Sequence, residues 1–314
     1  MNIAQHIHRI LQKTAKLLVI LVTAVLAACS TTSPAPVISS GRIERLGMVP
    51  SQYVEPRLVD VWLPNDYSPS KRYAVLYMHD GQSIFDGATS FSKKGWHVEA
   101  ALAKLQQEGR VKDTIVVGIW NAGQLRWTEY FAQKAVPLIE EPARSLFTST
   151  WLQGKPRADD YLRYLVQELK PLIDKKYATR PDAANTVIMG SSMGGIISLY
   201  AMSEYPHVFG AAACLSTHWI GGFEQNTAIP KAMLQYLREH LPDPTSNRLY
   251  MDRGTTELDA LYQPHQDLAD VIVREKGYTA ANSVSLVFPG AAHNEADWSK
   301  RLELPLSFLL GYKP

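Results

Sequence analysis

The sequence has few cysteines and almost no net charge. Only Cys29 and Cys214 are cysteine among 314 residues, and 32 Lys and Arg against 30 Asp and Glu give a formal net charge of +2. Because residues 1–28 contain three cations and no acid, the rest of the chain has a net charge of −1. That balance argues against a nucleic-acid partner, which needs a basic surface. The nine His residues are scattered without the spacing of a metal motif, so we predict no metal and no other cofactor.

The longest apolar run is too short to span a membrane. Leu17–Ala28 has twelve residues and is apolar except for Thr23, whereas a transmembrane helix needs about 20. A run of this length after N-terminal cations is typical of a secretory signal peptide, here residues 1–28. Its end, Leu26-Ala27-Ala28-Cys29, resembles the bacterial lipoprotein box, in which the cysteine becomes the lipid-modified first residue. The alternative is an ordinary signal peptide followed by an incidental cysteine.

The lipoprotein interpretation places the protein in the cell envelope. We expect export and anchoring to the membrane through lipid on Cys29, and Ser30 favours the outer over the inner membrane of a Gram-negative cell. The Pro-, Ser- and Thr-rich residues 29–40 are expected to form a flexible tether to a domain over residues 41–314. With Cys29 acylated, Cys214 has no partner, and its apolar neighbours predict a buried core thiol.

Short apolar runs alternate with helical patterns through the rest of the chain. The runs predict strands at Leu58–Leu63, Tyr73–Met78, Thr114–Ile119, Val187–Met189, Ala211–Leu215, Arg248–Met251 and Val284–Phe288. Helices are predicted at Val98–Gln107, Tyr161–Lys176, Ile196–Glu204, Lys231–Glu239, Leu258–Glu275 and Ala296–Leu309. In Tyr161–Lys176 the helical spacing of four leucines predicts one buried face, formed by Leu162, Leu165, Leu169 and Leu172. This alternation predicts an α/β fold with a mostly parallel central sheet and helices on both faces. The segment Trp120–Trp151 has no clear periodicity and is expected to be a cap or a pocket wall.

A Gly-x-Ser-x-Gly motif lies between a predicted strand and a predicted helix. Gly190-Ser191-Ser192-Met193-Gly194 follows Val187–Met189 directly. Glycines are needed in such a turn because neighbouring backbone approaches too closely for a Cβ, and the turn presents the central serine at the sheet edge. The register selects Ser192 over Ser191 as a candidate nucleophile. The alternative is a serine that only caps the helix.

A second turn follows an early strand and predicts a place for an oxyanion. Acyl transfer at a serine needs two N–H donors for the tetrahedral intermediate. The amide of Met193, after the candidate nucleophile, is one. In Asp80-Gly81-Gln82, Gly81 allows close backbone approach, and we predict the Gln82 amide as the other. The alternative is a plain Asp-Gly turn.

An acid and a histidine follow the serine in the chain order of α/β-hydrolase triads. After the strand Arg248–Met251, both Glu257 and Asp259 are candidates, and we favour Glu257 because it lies three residues after Gly254. Asp259 is the alternative, unless it caps the next helix. After the last predicted strand, His293 is placed to exchange a proton with Ser192.

Together these motifs resemble the bacterial esterase family of α/β-hydrolases. That family includes enterochelin-type siderophore esterases, feruloyl and acetyl-xylan esterases, S-formylglutathione hydrolases and mycolyltransferases. The resemblance runs from about Pro56 to Leu310 and rests on Tyr77–Gln82 with Phe85-Asp86, Gly190–Gly195, Tyr205-Pro206 with Phe209-Gly210, Ser216 with Trp219, and His293-Asn294-Glu295 with Trp298, Arg301 and Leu302. It implies an α/β-hydrolase catalytic domain using Ser192 and His293, with the Gln82 and Met193 amides as oxyanion hole, and it leaves the acid open.

The resemblance also implies residues around the catalytic centre. Glu295 and Trp298 are expected to support the histidine loop, and the pocket is expected to lie near Asn121, Arg126, Glu129 and Tyr130. Candidate substrate contacts are Asp80, Asn121, Arg126 and Trp219. An equally weighted alternative is a surface ion pair between Arg126 and Glu129. The aromatic residues Trp120, Trp127, Trp151 and Trp219 would suit an aryl or sugar group, although aromatics more commonly fill the core.

The sequence therefore predicts a serine carboxylic-ester hydrolase that works through an acyl-enzyme. Its expected partner is a small-molecule ester with a short-chain, carbohydrate-linked or siderophore structure. Two alternatives remain: an acyltransferase of the same fold, and a non-catalytic binding lipoprotein of the envelope.

Overall fold

The computed structural model describes residues 34–90 and 92–312. The predicted signal peptide (residues 1–28) and Cys29 lie outside these residues. Within the described part, no helix is long and apolar enough to cross a bilayer. A compact unit begins at Pro36, before the predicted end of the tether at residue 40. The Ser40 carbonyl accepts a hydrogen bond from the Trp62 indole at 2.7 Å, so residues 36–40 belong to the domain and are not free tether.

Eight strands form one sheet in the described residues: β1 (Arg42–Val49), β2 (Arg57–Leu63), β3 (Ala74–His79), β4 (Thr114–Ile119), β5 (Thr186–Ser191), β6 (Ala211–Leu215), β7 (Arg248–Arg253) and β8 (Ser283–Val287). Their order is β1-β2-β4-β3-β5-β6-β7-β8. Strands β1 and β2 pair antiparallel, as do β2 and β4, and every other pairing is parallel. All seven predicted strands are present. β1 was not predicted because it is a half-exposed edge strand without a buried apolar run.

Within residues 34–90 and 92–312 the α-helices are α1 (Val98–Gln107), α2 (Arg126–Tyr130), α3 (Ala143–Trp151), α4 (Ala158–Arg163), α5 (Lys170–Lys176), α6 (Met193–Glu204), α7 (Ala228–His240), α8 (Gln263–Glu275), α9 (Glu295–Lys300) and α10 (Glu303–Leu310). A π-helical stretch, Tyr164–Leu169, joins α4 to α5, and 3₁₀ turns occupy Gly123–Leu125, Gln133–Leu138, Ala183–Asn185 and Glu257–Leu261. The unpatterned segment Trp120–Trp151 thus contains short helices and turns.

The core lies on both faces of the sheet. Along β3, Val75 and Tyr77 belong to one buried cluster, whereas Leu76 and Met78 belong to another. Alternate residues of a strand point to opposite faces, so both faces of this strand are covered. Helices α6 and α7 contribute to the first cluster, and α1 and α10 to the second. The predicted α/β-hydrolase fold class is confirmed.

The π-helical stretch corrects the predicted face of Tyr161–Lys176. Leu162, Leu165 and Leu169 are buried as expected, but Leu172 is exposed and Ile173 is buried in its place. A π-turn inserts a residue relative to the α-helical repeat, so the apolar stripe moves on by one position after it.

Parallel strands place their carboxyl ends at one edge of the sheet. The loops after β3, β5, β6, β7 and β8 begin at Asp80, Ser192, Ser216, Gly254 and Phe288, and the last of them carries His293. Ligand sites of open α/β sheets form at this edge. The fold therefore brings the five loops that carry the sequence motifs to one edge of the sheet.

Candidate active site

Ser192 occupies a strained turn between β5 and α6. Its backbone has φ 58° and ψ −122°, outside the regions that a serine ordinarily adopts. A Cβ on Gly190 would lie 2.7 Å from the backbone of Gly194, so the turn requires glycine there. Ser192 stands at the N-cap position of α6, yet its side chain makes no capping hydrogen bond. The hydroxyl is therefore not used to cap the helix, contrary to the alternative interpretation.

His293 is paired with Asp259. The Nδ1 atom of His293 lies 2.5 Å from Oδ1 of Asp259, whose side chain has no solvent exposure. The other carboxylate oxygen accepts hydrogen bonds from the Ser216 hydroxyl at 2.6 Å and from the Gly254 amide at 2.5 Å. Burial alone would raise the pKa of Asp259, but the bonds from His293, Ser216 and Gly254 hold that pKa below its usual value. Asp259 is thus a carboxylate at neutral pH and an acceptor for the imidazole N–H.

The preference for Glu257 as this acid is wrong. Glu257 begins the 3₁₀ turn Glu257–Leu261 with φ 53° and an exposed side chain. A 3₁₀ turn rotates the chain by about 120° per residue, so side chains two positions apart point in different directions. Asp259 faces His293 and Glu257 faces solvent.

The loop that carries His293 is supported by Trp298, as predicted. The two rings meet edge to face with centroids 5.1 Å apart, and the indole N–H donates to the Ser216 hydroxyl at 2.9 Å. Arg301 donates to the same hydroxyl at 3.0 Å and to the buried Asp252. Ser216 thus links the acid of the site to the histidine loop. The cap of α9 comes from Asn294, whose side chain accepts two backbone N–H bonds, and not from Glu295.

The two predicted oxyanion donors lie in turns held by close backbone contacts. Gly81 donates to the Ile119 carbonyl at 2.8 Å, and a Cβ on Gly81 would lie 2.7 Å from Gly118. This contact fixes the turn that ends in Gln82. Met193 is the first residue of α6, where a helix leaves its N–H groups unpaired. Within the described residues, neither the Gln82 amide nor the Met193 amide donates a hydrogen bond.

Asp80 and Arg126, both predicted to contact the substrate, bind each other. Two hydrogen bonds of 2.7 Å join the guanidinium to the carboxylate, and the Asn121 side-chain amide donates to the same carboxylate at 2.7 Å. Both side chains of the ion pair are partly exposed. The Asn121 backbone N–H also donates to the Gln82 side chain at 3.3 Å. Asp80, Arg126 and Asn121 therefore stabilise the turn that contains the Gln82 amide, the candidate oxyanion donor.

The alternative ion pair between Arg126 and Glu129 does not form. Glu129 is instead buried with Arg57, which donates two hydrogen bonds of 2.8 Å to its carboxylate. Arg126 bonds to Asp80, whereas Glu129, three residues later on α2, bonds to Arg57 of β2.

The prediction that Trp219 contacts the substrate is wrong. Its ring has no exposure and its indole N–H donates to Gln266 at 3.0 Å, so the residue belongs to the core. Trp120 donates its indole N–H to Asp60 at 2.9 Å. Trp127 and Trp151 stack with centroids 4.4 Å apart, and the edge of Phe223 lies against both.

An aromatic-walled cavity of about 390 Å³ adjoins these stacked rings. Trp151, Phe223, Phe147, Ile220 and Ile229 are among the residues that line it. Trp127, which stacks on Trp151, meets the His218 ring edge to face with ring centroids 5.2 Å apart. The His218 amide donates to the Ser192 carbonyl at 3.3 Å. This chain of contacts leads from the cavity wall to Ser192.

Sequence reasoning missed Tyr262 and His218. The Tyr262 hydroxyl lies 2.5 Å from His218 Nδ1, and the Tyr262 ring meets the His293 ring edge to face with centroids 5.7 Å apart. No local signal marks Tyr262, which falls inside the predicted helix Leu258–Glu275, and His218 follows the quoted Ser216 without a motif of its own.

Within the described residues, no exposed thiol and no cluster of metal-binding side chains is present. Cys214 is fully buried in β6, as predicted, and burial raises the pKa of its thiol. No group of three or more His, Cys, Asp or Glu side chains there is arranged to hold a metal ion.

Comparison with known proteins agrees with this geometry. A family model described as Putative esterase matches residues 52–308. Uncharacterized protein YbbA of Bacillus subtilis (strain 168) is 25% identical over 267 residues, which cover 81% of this chain and 93% of that protein. A solved ferulic acid esterase has a TM-score of 0.62 at 20% identity, covering 87% of this chain and 99% of its own.

The enterobactin esterase FES from Shigella flexneri, solved in the presence of 2,3-di-hydroxy-N-benzoyl-glycine, has a TM-score of 0.61 at 15% identity. That likeness covers 89% of this chain and 63% of the Shigella protein. At such identities the structural matches show the fold, and the family model, which spans most of the sequence, shows the family. This chain belongs to the Putative esterase family.

Proposed function

We propose that this protein is a serine carboxylic-ester hydrolase that works through an acyl-enzyme. The observation that carries the proposal is the strained turn at Ser192 together with the His293–Asp259 pair at the same sheet edge. A serine, a histidine and a carboxylate in these roles suit acyl transfer on several unrelated folds.

In the proposed reaction, Ser192 Oγ bonds to the ester carbonyl carbon while its proton passes to Nε2 of His293. The carbonyl electron pair moves onto oxygen, where the Gln82 and Met193 amides donate to it. The tetrahedral intermediate then collapses, the bond to the alcohol breaks, and His293 returns the proton to that alcohol. Water repeats the sequence on the acyl-enzyme, which releases the acid and restores Ser192.

In this scheme Asp259 orients the His293 ring and stabilises its charged form. Its carboxylate accepts the Nδ1 proton, which leaves Nε2 of the neutral ring free to accept from Ser192. Because it stays ionised, it also stabilises the imidazolium that forms when His293 takes the proton.

We propose an aromatic ring as part of the ester. The wall of Trp151 and Phe223 offers flat apolar surface next to the catalytic loops, and ring stacking on such surface is favourable. A ferulic acid esterase and an enterobactin esterase share this fold and support the choice. Shortening Trp151 to Ala should then lower kcat/KM for an aromatic acyl ester more than for the acetyl ester of the same alcohol. An equal loss on both esters argues against aryl binding there.

The test of the proposed reaction is hydrolysis of p-nitrophenyl esters from acetate to palmitate by residues 30–314. Ser192→Ala should abolish nearly all turnover, and the matched control Ser191→Ala should retain it. Added alcohol that diverts the acyl group from water would identify an acyltransferase. A wild-type protein that neither turns over any ester nor reacts with a fluorophosphonate would be a binding protein.

We also propose that the chain is exported and held in the bacterial envelope by lipid on Cys29, with the outer membrane favoured. The apolar run ending in Leu26-Ala27-Ala28-Cys29 supports this. Metabolic labelling with palmitate should mark the wild type and not Cys29→Ser. Equal labelling of both would overturn the proposal.

A further inference from the structure

Ser216 stands at the centre of a buried hydrogen-bond network beside the proposed catalytic acid. The residue has no solvent exposure, and its Oγ lies within hydrogen-bond distance of three side chains. Oγ is 2.6 Å from Oδ2 of Asp259, 2.9 Å from Nε1 of Trp298 and 3.0 Å from Nη2 of Arg301. The mechanism proposed above does not use this hydroxyl.

The chemistry of the three partners determines where the Ser216 proton lies. An indole N–H and a guanidinium N–H can only donate, so the hydroxyl oxygen accepts from both Trp298 and Arg301. The one hydroxyl proton is left for Oδ2 of Asp259, which as a carboxylate can only accept. The hydroxyl therefore uses its proton and both lone pairs, and it cannot rotate without losing a partner.

The hydroxyl ties Asp259 to two other parts of the site. Oδ1 of this acid lies 2.5 Å from Nδ1 of His293, and Oδ2 accepts from Ser216 and from the Gly254 amide. Gly254 belongs to the same loop as the acid, whereas Ser216 begins the loop after β6. Arg301, which donates to Ser216, follows His293 in the chain. The orientation of the carboxylate thus depends on a hydroxyl from outside its own loop.

The backbone of Ser216 is strained. Its φ is 45°, a left-handed value that favours glycine. Asp80 and Ser192, which also directly follow strands at the carboxyl edge of the sheet, have φ of 57° and 58°. Such strain costs stability and persists only where the surroundings hold it, typically at active sites. The Ser216 amide donates to the Asp252 carbonyl at 2.8 Å, and Arg301 bonds the Asp252 carboxylate at 2.9 Å, so the network fixes this backbone as well.

We propose that Ser216 is a positioning residue that fixes the Asp259 carboxylate against His293. The inference rests on the proposed function, because Asp259 acts in that reaction only through the imidazole. Without the Ser216 hydroxyl, Oδ2 loses one of its two hydrogen bonds, and the carboxylate is free to turn away from Nδ1 of His293. The imidazole is then directed less often at Ser192, and proton transfer from that serine slows. Ser216 itself keeps its proton throughout.

The deciding variant is Ser216→Ala, which removes one oxygen atom. We expect kcat for p-nitrophenyl acetate, and the rate of fluorophosphonate labelling of Ser192, to fall about tenfold, as for the loss of one hydrogen bond to a charged group. KM should not change, because a fully buried hydroxyl makes no contact with the ester. The matched control is Tyr236→Phe on α7, which removes another buried hydroxyl, one that donates to the Glu204 carboxylate at 2.8 Å. The control should keep the wild-type kcat and labelling rate.

A double-mutant cycle separates positioning of the acid from any other effect of Ser216. Asp259→Ala removes the group through which Ser216 acts, so adding Ser216→Ala to it should slow labelling no further. A serine that shapes the site in another way would slow labelling of Asp259→Ala by the same factor as that of the wild type. If Ser216→Ala does not fold, Ser216→Gly removes the same hydroxyl and suits a φ of 45°, and the same outcomes apply.

The outcomes separate this inference from the proposed function. A wild type that neither hydrolyses an ester nor labels overturns the function itself. A wild type that labels while Ser216→Ala labels equally fast overturns the positioning role alone. An equal further loss in the Asp259→Ala background overturns it as well.

Discussion

Nδ1 of His293 lies 2.5 Å from Oδ1 of Asp259, a carboxylate that no solvent reaches. Glu257, two residues earlier, is exposed on the same 3₁₀ turn. The two acids therefore provide a matched pair of variants. Asp259→Asn should lower kcat on the order of 10³–10⁴-fold because the imidazole loses its acceptor and adopts the wrong tautomer.

Glu257→Gln should leave kcat for p-nitrophenyl acetate within about twofold of the wild type, as for a surface substitution. Steady-state kinetics on both variants at one pH decide between the acids. A large loss in Glu257→Gln with little loss in Asp259→Asn would contradict the pairing.

The backbone contact of Gly81 predicts a steric requirement at the oxyanion turn. A Cβ there would lie 2.7 Å from Gly118, so Gly81→Ala must displace one of the two loops. Overpacking of this kind costs about 1–3 kcal/mol of unfolding free energy, and we expect kcat to fall with it because the Gln82 amide moves. The control Gly222→Ala places its Cβ 3.8 Å from the nearest atom and should melt like the wild type. Equal melting temperatures for both variants would refute the steric argument.

The buried pair of Arg57 and Glu129 predicts a large cost for removing one partner. Two hydrogen bonds join the side chains, and almost none of either is exposed. Glu129→Gln leaves an uncompensated guanidinium in the core, which costs about 3–5 kcal/mol. Glu140→Gln removes the partner of Lys231 in an exposed pair and should cost less than about 1 kcal/mol. Urea unfolding measures both, and similar costs would show that burial does not distinguish the pairs.

The pair of Asp80 and Arg126 predicts acid-dependent stability. Burial raises the pKa of Asp80, but the charge and hydrogen bonds of Arg126 and the bond from Asn121 bring it below its usual value. A carboxyl whose pKa is lowered by folding stabilises the protein above its unfolded pKa and loses that contribution as the pH falls through its folded pKa. Below about pH 4, the melting temperature of the wild type should therefore fall more steeply than that of Asp80→Asn. Parallel curves by circular dichroism would contradict the shift.

Local features were predictable from the sequence, and pairings between distant segments were not. The turn at Ser192 follows from steric rules over five residues, and the buried strands follow from short apolar runs. Both Glu257 and Asp259 lie in the loop where the triad needs an acid. What decides between them is the position of His293, which follows Asp259 by 34 residues and pairs with it. Trp219 and Arg126 show the same limit, because the partners that determine their orientation lie in other elements. The exposure of Leu172 depends on a π-turn that no residue pattern marked.

Formation of a covalent adduct on Ser192 tests the central claim most directly. The wild type, Ser192→Ala, Ser191→Ala and His293→Ala would be incubated with a fluorophosphonate and examined by intact mass and peptide mapping. We expect one phosphonyl group on Ser192 in the wild type and in Ser191→Ala, none in Ser192→Ala, and much slower labelling in His293→Ala because the hydroxyl is no longer activated. An unlabelled wild type, or a label on another residue, would contradict the account.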